Sequence, residues 1–280
     1  MIFVTGSSGQ LGFEICGALK NLNIKHYPIT RNDFDLINKN DVFRFFENKN
    51  VDCIIHCAAY TNVDKAESEK ELCRAVNIES TKTLLQISKM LSCKFVYIST
   101  DYVFDGKKDS PYEVEDSLNP INYYGYTKAK GEVYAIENYF NTYVIRVSFV
   151  YGINGRNFVK SIINLSKENS EINVVCDQIG SQSYAKHLAY GIINIVNSNR
   201  PGIYHLTNEG YFSFYDFAVK VFQKLGIKAR VNKILSKDYK TIAKRGLNSM
   251  LSKDCLTRNN IPHLLSVDDG ISEFINEMRL

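Results

Sequence analysis

Residues 2–22 read IFVTGSSGQLGFEICGALKNL. Four strand-favouring residues run straight into Gly6, Gly9 and Gly12, and apolar residues then recur with helical spacing at Leu11, Ile15, Ala18, Leu19 and Leu22. A glycine-rich turn placed between a first strand and a first helix is the context a dinucleotide-binding turn requires. In that role Gly6 permits the tight turn, Gly9 lets backbone approach a pyrophosphate, and Gly12 lets the helix pack on the strand. The helix N-terminus then offers free N–H groups and partial positive charge to the phosphates.

Working outward, strands and helices keep alternating. "KHYPIT" is a weaker strand, and "NKNDVFRFFENK" a helix capped by Asn38 or Asn40. "VDCIIHCAA" is a continuous apolar strand, followed by the helix "KELCRAVNIESTKTLLQISKML". "KFVYIST" and "TYVIRVSFVYG" are further strands, with a helix over 123–140 between them. Apolar strands separated by helices predict a parallel sheet covered on both faces. The fold class is therefore α/β, a Rossmann-type doubly wound parallel sheet over residues 1–150. Beyond Gly152 the alternation weakens, predicting a smaller α+β, mainly substrate-binding region over 151–280, with some segments returning to the first domain.

The second strand should end in a group that grips the adenosine ribose. Here that place holds Thr30 and Arg31. An arginine there accepts a 2′-phosphate, which favours NADPH over NADH as cofactor.

Bulk properties exclude several classes. A net charge of +4, with no basic block among 280 residues, argues against nucleic acid as a partner. No apolar run approaches the roughly 20 residues that span a bilayer, and no period repeats. The seven cysteines show no metal or disulfide spacing, and the first residues already read as a strand, so a reducing cytoplasm is expected. Cys53 and Cys57 read as inert core thiols.

The stretch 99–132, STDYVFDGKKDSPYEVEDSLNPINYYGYTKAKGE, carries two overlapping Tyr-x-x-x-Lys pairs, Tyr124/Lys128 and Tyr126/Lys130. Residues four apart share a helix face. A ketone that receives a hydride must also take a proton, which a tyrosine can supply if a nearby ammonium lowers its pKa of about 10. A neighbouring Ser or Thr hydroxyl completes such a site. Spacing alone leaves both pairs open.

Beyond these residues the chain resembles the extended short-chain dehydrogenase/reductase superfamily and, within it, the dTDP-4-dehydrorhamnose reductase family. The resemblance rests on "GSSGQLG", "CAAYTNVDKAE", "VN" at Val76–Asn77, "STDYVFDG", "PYEVED", "NPINYYGYTKAKGE", "VYG", "GRNFV" and "DQIGS". It implies an NAD(P)H-dependent reductase acting on the 4-keto group of a nucleotide-linked 4-keto-6-deoxy sugar, for surface polysaccharide. The family pattern Y-G-x-[ST]-K-x-x-G-E selects Tyr124 as proton donor, Lys128 as its tuning partner on the nicotinamide ribose, and Thr100 as the accompanying hydroxyl. It assigns Gln10 and Leu11 to the pyrophosphate, Asp35 and Leu36 to the adenine, and Ala58, Ala59, Tyr60 and Thr61 to the middle of the cofactor. Asp101, Tyr102, Phe149, Asn157 and Arg245 would line the sugar, with Thr100.

The chain departs from the family pattern in the substrate half. Phe149 stands where tryptophan is usual, Gln182-Ser183 replaces a Pro-Thr, and Gly246 follows Arg245 in place of proline. Relatives with other activities also resemble it. A 4,6-dehydratase needs a glutamate where Tyr102 stands, an epimerase keeps its NAD bound, and a regulatory subunit of methionine adenosyltransferase binds the cofactor without catalysis. Some family members dimerise around Mg²⁺ held by glutamates. Glu14 matches one of these, but Lys186 fills the place of the second and Glu277 only loosely matches the third. The expectation is that no metal is held and that any homodimer is not Mg²⁺-bridged, with Glu14 a first-turn carboxylate on the helix dipole.

Overall fold

The computed structural model describes residues 1–278. Strands β1 (Ile2–Thr5), β2 (His26–Pro28), β3 (Cys53–His56), β4 (Lys94–Thr100) and β5 (Thr142–Val147) alternate with helices. These are α1 (Gln10–Asn21), α2 (Lys39–Phe46), the short α3 (Val63–Ala66) and α4 (Lys70–Arg74), α5 (Ser80–Met90) and α6 (Tyr123–Asn138). A π-helical turn, Ala75–Glu79, joins α4 to α5. Asn38 caps α2 by accepting from the amides of Asn40 and Asp41.

The second half contributes β6 (Val150–Tyr151), α7 (Phe158–Glu168), β7 (Glu171–Val175), β8 (Ile179–Gly180), β9 (Ser183–Tyr184), α8 (Ala185–Asn197) and β10 (Gly202–His205). It continues with β11 (Phe212–Ser213), α9 (Phe214–Leu225), β12 (Arg230–Ile234), β13 (Asn248–Ser249), α10 (Asp254–Arg258) and α11 (Val267–Met278).

The main sheet has the order β10-β5-β4-β3-β1-β2, and every neighbouring pair is parallel. Helix α1 buries Leu11, Ile15, Ala18 and Leu19 on one face, where α8 adds Leu188, Ile192 and Ile195. Helices α2, α5 and α6 cover the other face through Val42, Phe46, Leu84, Leu85 and Ala135. Each Leu, Ile, Val or Phe among them removed from water is worth about 1.5–3 kcal/mol before entropy is charged against it. Strand order reverses between β1 and β3, because β1 connects outward to β2 while β3 lies on its other side. Ligands of open parallel sheets bind at such a switch point, at the carboxyl ends of the strands.

Two expectations change here. "TYVIRVSFVYG" is not one strand: β5 stays in the main sheet, while β6 leaves it to pair with β9. The break falls at Phe149, whose φ of 41° no continuous strand accommodates. Glu14 is not in the first turn of α1, which carries no acidic residue. It is buried one turn further on.

The chain beyond Gly152 divides between two places. Helix α8 and β10 complete the main sheet and its cover. Helix α10 also packs on that core through Cys255 and Leu256, whereas α7, α9 and α11 surround a separate cluster built on Tyr151, Val159, Phe217, Val221, Ile271 and Phe274.

Candidate active site

The turn after β1 is shaped by what lies against it. Gly6 adopts φ +65°, and a Cβ there would stand 2.6 Å from the Ala58 nitrogen. A Cβ on Gly12 would stand 2.3 Å from the Gly6 carbonyl oxygen. Gly9 is the cap position of α1, so no side chain caps the helix. The leading amides of such a helix have no partner within it, and no side chain here takes the place of an anion at its cap. The Gln10 side chain is engaged elsewhere, donating to the Val150 carbonyl at 3.1 Å and accepting from Asn157 at 2.8 Å. This cradle fits a dinucleotide pyrophosphate.

The loop after β3 forms the opposite wall. Asn77, in the π-helical turn, accepts from the Tyr60 amide at 2.8 Å and donates to the Tyr60 carbonyl and the Thr127 hydroxyl. It thereby holds Ala58–Thr61 against α6. Its place within "VN" was visible in the sequence, but its function as a strut was not. At the end of β2, Thr30 donates to Asp33 from both amide and hydroxyl, at 2.8 and 3.0 Å. Asp33 is thus committed to a turn, and Arg31 remains exposed beside it. Asp35 is exposed and accepts from the Ile37 amide, while Leu36 packs partly on the core.

Helix α6 delivers the second half of the site. Asn122 caps it, accepting from the Gly125 amide at 2.8 Å. A Cβ on Gly125 would stand 2.1 Å from the Tyr102 carbonyl oxygen, so only glycine lets α6 start so close to the end of β4. That approach places Tyr124 beside Thr100 and edge-on to Tyr102, at 5.9 Å between ring centroids. The two Tyr/Lys pairs are now distinct. Tyr124 is 9% exposed and Lys128 3%, whereas Tyr126 is 42% exposed and carries Lys130 over its ring on the surface. The buried pair is the one that can serve an enclosed reaction.

Burial, then the facing Asp101 carboxyl, pushes the Tyr124 phenol above its ordinary value, with the Thr100 hydroxyl opposing. The Lys128 ammonium lies 3.9 Å from the centre of the Tyr97 ring. Burial lowers Lys128 to about 7, against the pull of Glu132 one turn on. Glu132 is itself held by Ser99 at 2.6 Å and by the fully buried guanidinium of Arg146. Thr100 has a structural duty too, accepting from the Tyr102 amide at 3.2 Å to cap the turn that follows β4.

The expected sugar-side residues disperse more than the sequence suggests. Tyr102 faces Arg245, whose guanidinium grips Asp64 in a two-pronged pair at 3.1 and 2.9 Å. Asp64 was not singled out in the sequence, and it also accepts from the Ala243 amide, tying the 243–245 segment across the site. Phe149 stacks on Phe214 at 4.2 Å. Asn157 sits toward the glycine turn instead, capping α7 and donating to Gln10 and the Gly152 carbonyl.

The Glu14 cluster does not fit a divalent cation. Lys186 pairs with Glu277, placing an ammonium among the carboxylates. Glu14 keeps one buried oxygen without a partner. Burial and then Glu277 push its carboxyl up to about 7, with Lys186 opposing. Among the described residues, no three His, Cys, Asp or Glu stand together as a metal cage, and no helix is long and apolar enough to cross a membrane.

A parallel sheet with a glycine cradle at its switch point, and a buried Tyr/Lys pair beside a threonine, defines an oxidoreductase of the extended short-chain dehydrogenase/reductase class. Comparison with known proteins narrows this. The family model described as "RmlD substrate binding domain" matches residues 1–280. The spore coat polysaccharide biosynthesis protein SpsK of Bacillus subtilis is 35% identical, over 90% of this chain and 88% of its own. The dTDP-4-dehydrorhamnose reductase of Escherichia coli K12 is 34% identical over 99% and 97%. A crystal structure of dTDP-4-dehydrorhamnose reductase from Bacillus anthracis in complex with NADP superposes with a TM-score of 0.95, at 34% identity over 99% and 98%. The chain belongs to the dTDP-4-dehydrorhamnose reductase family.

Proposed function

We propose that this protein reduces the 4-keto group of a nucleotide-linked 4-keto-6-deoxy sugar, of the dTDP-4-dehydrorhamnose type, using NADPH, for surface polysaccharide synthesis. The observation that carries this reading is the enclosure of Thr100, Tyr124 and Lys128 at the carboxyl end of β4, beside the uncapped start of α1.

When bound, the reduced nicotinamide supplies the hydride. Gly6, Gly9 and Gly12, with the Gln10 and Leu11 amides, hold the pyrophosphate. Arg31 meets the 2′-phosphate beside Thr30, Asp35 and Leu36 border the adenine, and Ala58–Thr61 line the middle. Lys128 positions the nicotinamide ribose. Thr100 orients the sugar carbonyl, and Tyr124 gives its oxygen a proton. A phenol kept protonated by burial suits a donor. Asp101, Tyr102, Phe149 and Arg245 surround the sugar, while Asn157 acts through Gln10. Residues 1–150 carry the cofactor site and, through Thr100, Asp101, Tyr102 and Phe149, the near side of the sugar, while 151–280 adds Arg245 and the segments around it.

A 4,6-dehydratase would need a base where Tyr102 stands. Burial and Asp101 push that phenol up to about 12, too high to serve at neutral pH. Seven unpaired thiols suit a reducing cytoplasm. Lys186 on Glu277 argues that any homodimer forms without Mg²⁺. Freshly purified protein should show no absorbance from bound nicotinamide and should oxidise added NADPH only when a 4-keto sugar nucleotide is present. Tightly bound NAD with no NADPH consumption would instead indicate a redox-neutral enzyme.

A further inference from the structure

Asp101 is a buried carboxyl group that no cation neutralises. It is 5% exposed, and among the described residues it makes no ion pair. Its Oδ1 lies 3.0 Å from the Thr100 hydroxyl oxygen, which donates to the ionised carboxylate and accepts once Oδ1 carries a proton, and its Oδ2 is buried without a partner. The titratable groups facing it are Tyr124 from α6 and Tyr102 from its own turn. The hydroxyls of Ser148, after β5, and Ser249, in β13, close the other side. Arg245 lies beyond Tyr102, committed to Asp64. A Tyr124 phenolate formed by giving up a proton would face Asp101 directly. Two adjacent anions in a dry site repel strongly, so the arrangement works only if Asp101 is neutral when Tyr124 is called on.

We propose that Asp101 is the proton reservoir for Tyr124, delivering through the Thr100 hydroxyl. This rests on the reductase reading above. The carbonyl carbon of the sugar gains the hydride from the reduced nicotinamide, and its oxygen takes the phenolic proton of Tyr124. The phenolate oxygen takes the hydroxyl proton of Thr100, and the Thr100 oxygen takes the Oδ1 proton of Asp101. No electrons move along the relay. Its net result is one carboxylic acid converted to carboxylate, and Asp101 regains a proton from solvent after product leaves. Thr100 keeps its other lone pair on the Tyr102 amide throughout. Burial, opposed by the three hydroxyls around it, raises the carboxyl to about 6, so a useful fraction is protonated near neutral pH.

The test compares wild type with Asp101→Asn, which preserves shape and most hydrogen bonding but cannot give up a carboxyl proton. Single-turnover NADPH oxidation with a saturating dTDP-4-keto-6-deoxy sugar is followed from pH 5 to 9, and the Asp101 carboxyl carbon is titrated by NMR in the cofactor-free protein. In wild type the rate should fall as pH rises through the same inflection that the carboxyl titration shows. In Asp101→Asn the rate at pH 5.5 should drop by about 10²-fold and lose that inflection, with NADPH affinity unchanged. An Asp101 titrating in the ordinary range near 4, or the same pH profile in both proteins, overturns the relay. If Asp101→Asn fails to fold, coincidence or mismatch of the two wild-type inflections decides alone. A wild type that oxidises no NADPH with the sugar overturns the reductase reading and the relay with it. An active wild type with an unshifted profile in the variant removes only the relay.

Discussion

Tyr124 and Tyr126 differ by two positions and by nearly everything a proton donor needs. Tyr124 is enclosed, next to Thr100 and Asp101, while Tyr126 faces solvent under Lys130. Tyr124→Phe should lower turnover by roughly two to four orders of magnitude while leaving NADPH affinity nearly unchanged, since the ring keeps its packing and only the donor is lost. Tyr126→Phe should change little. Steady-state kinetics with fluorescence titration of the cofactor check both, and a more damaging Tyr126→Phe would show that the wrong pair had been chosen. Arg31 permits a similar contrast. Its exposed guanidinium has Asp33 nearby, but that carboxylate is occupied by Thr30 and by Tyr27 at 2.7 Å. NADPH should bind at least as tightly as NADH, and Arg31→Ala should weaken NADPH by about tenfold while sparing NADH, as expected for one exposed charge-assisted contact. A preference for NADH that Arg31→Ala leaves untouched would contradict this.

The junction of α1, α8 and α11 shows what an element boundary can conceal. Read along the sequence, Glu14 is a helix-start carboxylate; folded, it is buried against the Lys186–Glu277 pair. Its folded pKa, near 7, lies above the ordinary glutamate value, so the folded state holds the proton more strongly than the unfolded chain. Stability should therefore fall as pH rises from about 4.5 to 7, and the full penalty remains above 7. Glu14→Gln mimics the protonated form. It should raise Tm by about 2–4 °C at pH 8, the response to roughly 1 kcal/mol, and leave it unchanged at pH 5. Excess EDTA should alter neither activity nor the scattering mass. A dimer that dissolves in EDTA and re-forms with Mg²⁺ would contradict the reading of Lys186. The alternating strands and helices were legible, and the cap of α2 was narrowed to Asn38 or Asn40, because each rests on local periodicity and capping chemistry. The split of β5 from β6 was not, because Val150 and Tyr151 suit either sheet and only the left-handed Phe149 decides between them. The Asp64–Arg245 grip joins residues 181 apart, a distance at which no local pattern carries information.

Across the whole molecule, the parallel sheet forms the switch-point crevice at the carboxyl ends of its strands, and in the proposed reading the later elements bring the sugar side over it. The 243–245 segment, fastened by Asp64 and by Asn122 on the Lys244 carbonyl, closes the gap between them. The glycine turn was readable because its chemistry demands particular residues at particular spacings, whereas spacing left Tyr124/Lys128 and Tyr126/Lys130 equal and only the family resemblance chose between them. The sugar side was less readable: the Asn157 side chain donates to Gln10, a partner 147 positions away that no local pattern indicates. The central claim is that a hydride passes from NADPH to C4 of the sugar. Incubating the protein with NADPH deuterated at the nicotinamide C4 and a dTDP-4-keto-6-deoxy sugar, then examining the sugar by NMR, tests it most directly. With the deuterium on the transferred face of the nicotinamide, the account predicts one deuterium at C4 of the sugar for each NADPH oxidised. An altered sugar without deuterium, and with NADPH unconsumed, would contradict it.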